Sequence, residues 1–284
     1  HGRHEADRGE TDSRLIHGLM EREPDATIVV VDTETSDWDR DAGIRVLQAA
    51  AILIEPPYST LGETILDSHF VPPGLDLDSI RPDVIGVNRL TPEFISRVGV
   101  DPVAPLTELS SLLAADGVVV AAHNWEFDRI AIESELRANG VEVDLSGVPY
   151  IDTLKVARQL YDEGWDGYGG KKLPDMKLGT CFYGIVPRAS WSVASGAAHD
   201  ARHDAIMCGM LVSRFLEASR PEDLVALSRE TFVPRTCPMG SERGKKWADV
   251  DFGFLRWMVK NAVWKDDVGL EIAVLEEAER RGII

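Results

Sequence analysis

The chain has little with which to cross-link or anchor itself. Its 284 residues include three cysteines, Cys181, Cys208 and Cys237, with no CxxC spacing. An odd count without paired spacing excludes a disulfide framework and fits a reducing compartment, so the cytoplasm is the expected location. No apolar run approaches the ~20 residues that span a bilayer, and no membrane partner is expected. An initiating methionine and the apolar heart of a signal peptide are both missing from the opening HGRHEADRGETDSR, so residues 1–25 read as a frayed leader or an expression remnant. No internal repeat is visible. A surplus of positive charge is missing too: 30 Lys and Arg stand against 48 Asp and Glu, a net −18. That balance argues against a general coat for a polyanion, which a net acidic surface repels at long range. An enzyme that meets phosphates through metal ions and a local basic patch remains compatible with it.

What is present is ordinary globular material, 44% apolar and 27% charged. The length suits one large domain, or one of roughly 200 residues with a small second one. The acid excess sits in the first 220 residues, because the last 64 hold ten basic against twelve acidic side chains.

Three strand patterns come first. ATIVVVDTE (26–34) is continuous enough to be buried on both faces; IRVLQAAAILIE (44–55) and GETILDSHFVPPG (62–74) follow. TPEFISRVG and PVAPLTELSSLLAAD read as helices, GVVVAAHN as a short apolar strand, and WEFDRIAIESELRANG (125–140) as a helix opening after Asn124. YIDTLKVARQLY reads as a helix, DEGWDGYGGKKLPD as a Gly-rich loop, and HDARHDAIMCGMLVSRFLEA (199–218) as a last long helix. Strands first, then alternating helix and strand, predict an α/β fold with a mixed sheet flanked by helices over residues 26–220. Scattered prolines predict a linker at 221–236, and residues 237–284, rich in Trp and basic groups, read as a small C-terminal module.

The chemistry-bearing residues begin at the end of the first strand. Asp32 and Glu34, two apart, leave the same face, with Thr33 as spacer on the other. Two carboxylates beside an apolar strand repel each other and lose hydration unless cations compensate, and oxygen ligands suit Mg²⁺ or Mn²⁺. A solvated strand end reads the same way. Asp128, in the first turn of its helix, and Asp204, in the opening turns of the last one, each also read as ordinary helix-dipole partners. His199 and Asp204 reach one site only if His199 lies in the loop before the helix, since five residues turn about 140° past a full circle.

Together, DTET, HNWEFD and HDARHD, with Asp32, Glu34, Asp128, His199 and Asp204 in order, resemble the three exonuclease motifs of the DEDD superfamily, histidine subclass. The resemblance runs over about residues 26–218 and takes in PYIDTLKVAR, KLGTCFYGI and GVNRLTPE. The tyrosine subclass carries Tyr four residues before the last Asp, where this chain has Asp200. The resemblance implies a ribonuclease H-like fold and 3′→5′ hydrolysis of single-stranded DNA or RNA ends with release of 5′-mononucleotides. It further implies two divalent metal ions, Mg²⁺ or Mn²⁺, held by Asp32, Glu34, Asp128 and Asp204, with His199 accepting the proton of the attacking water. Related folds often dimerise, so a homodimer is an open expectation. Candidate substrate contacts are Thr35 and Ser36 beside the acid pair, Trp125 as a stacking ring, and Lys171, Lys172 and Lys177 along the Gly-rich loop. CPMGSERGKKWADVDFGFLRWMVKN is similar to the segment following the nuclease domain in exonuclease X-like proteins. Pro238, Gly240, Gly244, Lys245, Lys246, Trp247 and Trp257 match, while Met239, Ser241 and Glu242 depart from it. That likeness favours DNA and makes Lys245 and Lys246 candidate contacts; an RNA-trimming enzyme and a non-catalytic binding module are the alternatives.

Overall fold

A buried strand with apolar side chains on both faces belongs in the middle of a sheet, and β1 (Thr27–Thr35) lies there with Ile28, Val29, Val30 and Val31 all fully buried. The computed structural model describes residues 26–39, 43–162, 173–194, 199–264 and 267–284. The expected leader, residues 1–25, lies outside the described residues, as do Lys171, Lys172 and most of the Gly-rich loop. The sheet has five strands in the order β3-β2-β1-β4-β5. β2 (Val46–Ile54) and β3 (Thr64–His69) form the antiparallel meander, while β4 (Val118–Ala122) and β5 (Tyr150–Asp152) add parallel strands on the other side of β1.

Among the described residues seven α-helices complete this part: α1 (Pro82–Asn88), α2 (Pro92–Val98), α3 (Val103–Leu113), α4 (Trp125–Ala138), α5 (Thr153–Asp162), α6 (Leu178–Ile185) and α7 (Ala201–Leu216). Leu106, Leu109 and Leu113 of α3 and Ile132 and Leu136 of α4 pack on the face of Val29 and Val31. Phe182 of α6 and Leu211 and Val212 of α7 pack on the face of Ile28 and Val30. This is the expected ribonuclease H-like arrangement, a mixed sheet between two helical layers.

The structure corrects four local expectations. β3 runs only from Thr64 to His69, short of the Pro-Pro-Gly turn at which the strand was expected to end, and Phe70 then makes a single bridge to Val100. YID is a three-residue strand, β5, and only Thr153 onward is helical. The short α1, opening on Pro82, was not expected. The span read as a linker begins with α8 (Pro221–Arg229), tied to β5 because Ser228 Oγ accepts the Asp152 backbone N–H at 2.8 Å.

Beyond it, α9 (Phe252–Lys260) and α10 (Val268–Arg280) share a separate small core of Cys237, Val250, Leu255, Met258, Leu270 and Val274. Gly269 is required where α10 meets the incoming chain, since a Cβ there would stand 1.7 Å from the Phe232 carbonyl oxygen. Among the described residues no helix is long and apolar enough to cross a membrane.

One ion pair locks α4 to the sheet. Glu135, fully buried, accepts Arg45 Nε and Nη2 at 2.8 and 2.7 Å and the Val46 backbone N–H at 3.1 Å. Removing one partner of such a pair leaves the other charge stranded. Glu135→Ala is therefore expected to lower the unfolding free energy by roughly 3–5 kcal/mol in a urea titration; a loss below about 1 kcal/mol would refute this role.

Candidate active site

The strand pairings open a crevice at one end of the sheet. β1 stays paired to β2 as far as Thr35↔Val46, but its parallel pairing with β4 stops at Val30↔Ala121. Asp32, Thr33 and Glu34 thus project past β4, outside the carboxyl ends of the parallel strands, where open α/β sheets place their ligands. Asp32 and Glu34 follow Ile28 and Val30 on the α7 face. Thr33 follows Val29 and Val31 on the α4 face, and it does more than separate the two acids. Its backbone N–H and its hydroxyl both donate to Asp128 Oδ1, at 2.9 and 2.8 Å. The strand edge that β4 vacates is satisfied by the acid of the neighbouring helix.

Two helices deliver acids to the crevice, and each starts after a non-glycine residue in left-handed backbone: Asn124 (φ 83°) before α4 and His199 (φ 62°) before α7. Such conformations cost of order 1–3 kcal/mol and persist when the surroundings impose them. The Asn124 N–H donates to Asp152 Oδ1 at 3.1 Å, and Asp152 also accepts from the Leu154 N–H at 3.0 Å, at the start of α5. At α7, Asp200 caps the helix by accepting the His203 N–H at 3.1 Å. Gln48 of β2 then clamps that turn, accepting the Ala201 N–H and donating to Asp200 Oδ2, both at 3.2 Å. His199 therefore lies in the loop before the helix, on the same side as Asp204.

A carboxylate oxygen of half-buried Glu34, a ring nitrogen of exposed His199 and a carboxylate oxygen of Asp204 lie within 4.8 Å of one another. Burial and mutual repulsion raise every carboxyl of the group. Asp32 is held well above the usual carboxylate range by burial, then by Asp128, Asp204, Glu34 and Asp200. Glu34 is pushed up to about 8 by burial and by Asp204, Asp128 and Asp200. Asp128 rises to about 7 through burial, against its Thr33 hydrogen bonds. Asp204 rises to about 7, again through burial first, with the His199 backbone N–H opposing.

These residues fit divalent cations. Asp204 Oδ1 is buried without a hydrogen-bond partner, and an oxygen-rich donor set of carboxylates suits hard ions. Glu34, His199 and Asp204 are the described groups whose ligand atoms lie close enough together to share one ion.

The expected substrate contacts fare differently. Trp125 is 2% exposed in the core beneath α4 and presents no ring face for a base, because the apolar side of the helix begins at its first residue. Thr35 and Ser36 are buried, and their groups are engaged in the turn. The Thr35 hydroxyl donates to the Asp37 carbonyl at 2.7 Å, and the Ser36 hydroxyl accepts the Arg45 N–H at 3.1 Å. Lys177 is exposed just before α6, and Lys245 pairs with Glu242 at 2.8 Å. Lys246 is exposed and lines a cleft together with Arg158 of α5.

Sequence reasoning missed Asp200 and Gln48, and also His123, whose ring nitrogens lie 2.9 Å from Thr153 Oγ1 and 2.8 Å from the Met176 carbonyl. An aspartate just ahead of the helical run was a legible cap signal for Asp200; Gln48 and His123 act only through tertiary contacts.

The class this arrangement defines is a ribonuclease H-like fold with an acidic crevice at the sheet end. No protein-family model and no curated protein matches the sequence. Among solved structures, the fold is shared with E. coli Exonuclease I. In its complex with a dA16 oligonucleotide the TM-score is 0.54 at 20% identity, over 71% of this chain and 42% of that one. Its zinc-bound complex with single-stranded DNA gives 0.52 at 20%, over 67% and 40%. The chain thus spans about two fifths of the length of the structures it matches.

Raised carboxyl groups set the sign of a pH effect. The unfolded chain ionises near the ordinary values of 3.8 and 4.5, the folded one only near 7 to 8. Stability from this source is full at low pH and is lost as pH climbs through the folded values. Without metal, the unfolding free energy should fall between about pH 5 and 8; added Mg²⁺ or Mn²⁺ should restore it most at pH 8, and Asp204→Asn should flatten the slope. Urea titrations in EDTA across that range check this, and stability that is level or rising to pH 8 would contradict it.

Proposed function

We propose that this chain is a divalent-metal-dependent 3′→5′ exonuclease that hydrolyses single-stranded nucleic acid, DNA in preference to RNA, and releases 5′-mononucleotides. The observation that carries the reading is the convergence of Asp32, Glu34, Asp128 and Asp204, from β1, α4 and α7, on one crevice with His199 at its mouth. The fold shared with E. coli Exonuclease I, known in complex with DNA oligonucleotides, supports it.

Bound divalent ions would supply charge neutralisation at the scissile phosphate and lower the pKa of a coordinated water. The remaining work falls to the chain. Asp32, Glu34, Asp128 and Asp204 would hold the ions; Thr33 fixes the Asp128 oxygen through two hydrogen bonds. His199, exposed and beside Glu34 and Asp204, takes the proton of the attacking water on a ring nitrogen. The left-handed backbone at His199 turns its side chain toward these acids ahead of the helix. The preference for DNA rests on residues 237–284 as a nucleic-acid-binding module.

Oligonucleotides labelled at the 5′ end, incubated with Mg²⁺ or Mn²⁺, should shorten stepwise from the 3′ end, DNA faster than RNA. His199→Ala should slow this by about 10²–10⁴-fold, the usual contribution of a positioned acid–base group, and Asp32→Ala by at least as much. Products unchanged by either substitution would refute the assignment.

A further inference from the structure

The crevice is ringed by acids, so a polyanionic strand needs its cations elsewhere, and one place in the fold gathers them. Between the nuclease-like fold and residues 232–246 lies a cleft of about 730 Å³. Its described lining includes Arg158 of α5 with Arg235, Arg243 and Lys246 of the C-terminal segment, against one acid, Asp175. Asp175 is already engaged: its carboxylate accepts the Lys177 N–H at 3.0 Å and lies below the usual range through hydrogen bonds to Thr180 and Lys177. Among the described residues Arg158, Arg243 and Lys246 outnumber the acid of the lining, a local attractive field for an anion in a chain of net −18.

The loop that presents these cations is held in shape. Thr236 and Lys246 form an antiparallel bridge, and the Cys237 and Gly244 N–H groups donate to the Lys245 and Cys237 carbonyls at 2.8 and 2.7 Å. This pairing aims Arg243 and Lys246 into the cleft, while Lys245 turns away to Glu242. Leu173, Met176 and Phe232 add apolar surface of the kind on which bases rest. One contact ties the cleft wall to the turn before α4: the Met176 carbonyl lies 2.8 Å from His123 Nε2, and His123 directly precedes Asn124, which opens the helix bearing Asp128.

We propose that this cleft binds the sugar-phosphate backbone of a single-stranded polynucleotide, with phosphates on Arg158, Arg243 and Lys246, so that the strand upstream of its 3′ end runs between the nuclease-like fold and the C-terminal segment. The direction of the strand rests on the exonuclease reading; the binding itself does not.

The test measures binding of the full chain without turnover, by fluorescence anisotropy in EDTA, with labelled oligothymidylates of about 16 and about 4 nucleotides. Arg243→Glu/Lys246→Glu should weaken the longer strand by at least about tenfold and reduce the slope of log affinity against log salt by about 1.4. Arg243→Gln/Lys246→Gln should move both in the same direction by less, and serves if the charge-reversed chain melts early. Arg97→Glu/Arg137→Glu, an equal charge change on exposed residues of α2 and α4 outside the cleft, should shift affinity by less than about twofold. Equal binding of the longer strand by wild type and the cleft variants, or an equal loss from the Arg97/Arg137 pair, would overturn the proposal. If Mg²⁺ supports no turnover but binding still depends on Arg243 and Lys246, the exonuclease reading fails and the cleft stands. Normal turnover with unaltered binding by the cleft variants removes the cleft alone.

Discussion

Like charges gathered in a low-dielectric crevice govern this structure. Burial raises the proton affinity of Asp32, Glu34, Asp128 and Asp204, and the charges of neighbouring acids add to it. An arrangement of this kind does not hold itself together, and the surrounding devices can each be traced to it. The doubled Thr33–Asp128 hydrogen bond, the Gln48 clamp on the turn before α7 and the Asp152 grip on Asn124 all fix an acid-bearing element against repulsion. The left-handed residues ahead of α4 and α7 are strain carried at the same place, as is common where a site is pre-organised.

The fold supplies the rigidity behind this. Central β1 is buried on both faces, and the two helical layers pack on it from opposite sides. Because β1 outruns β4, the carboxylates stand at an edge that no strand covers, which leaves a ligand able to approach them. Electrostatics then divide by location: acids where divalent ions fit, and cations in the cleft beside the C-terminal segment.

Much of this was legible in the sequence, and the exceptions share a cause. Runs of β-branched residues marked β1 and β4, and apolar periodicity after Asn124 marked α4, because those signals are local. β5 was hidden because three residues that lead straight into a helix carry no alternation, and α1 because seven residues hold little periodicity. Asp32, Glu34, Asp128, His199 and Asp204 were picked out as a set only through the resemblance of their three motifs to known exonuclease motifs, and of these the fold brings Glu34, His199 and Asp204 within 4.8 Å of one another. What Thr33, Gln48 and Asp152 do was not, since each acts on a residue far along the chain. Trp125 failed as a stacking ring for the same reason: whether an aromatic at a helix start faces solvent or core is decided by what packs against it. The cleft cations come from segments far apart in sequence, Arg158 from one and Arg235, Arg243 and Lys246 from another, and only the folded chain brings them together.

The central claim is that the crowded carboxyl groups exist to hold divalent ions, and metal binding coupled to proton release tests it most directly. Calorimetric titration of the metal-free chain with Mn²⁺ at pH 7, repeated in buffers of different ionisation enthalpy, reads both at once. The account predicts saturable binding of two ions accompanied by net proton release, with both reduced in Asp32→Asn. Binding without proton release, or no saturable binding at all, would contradict it.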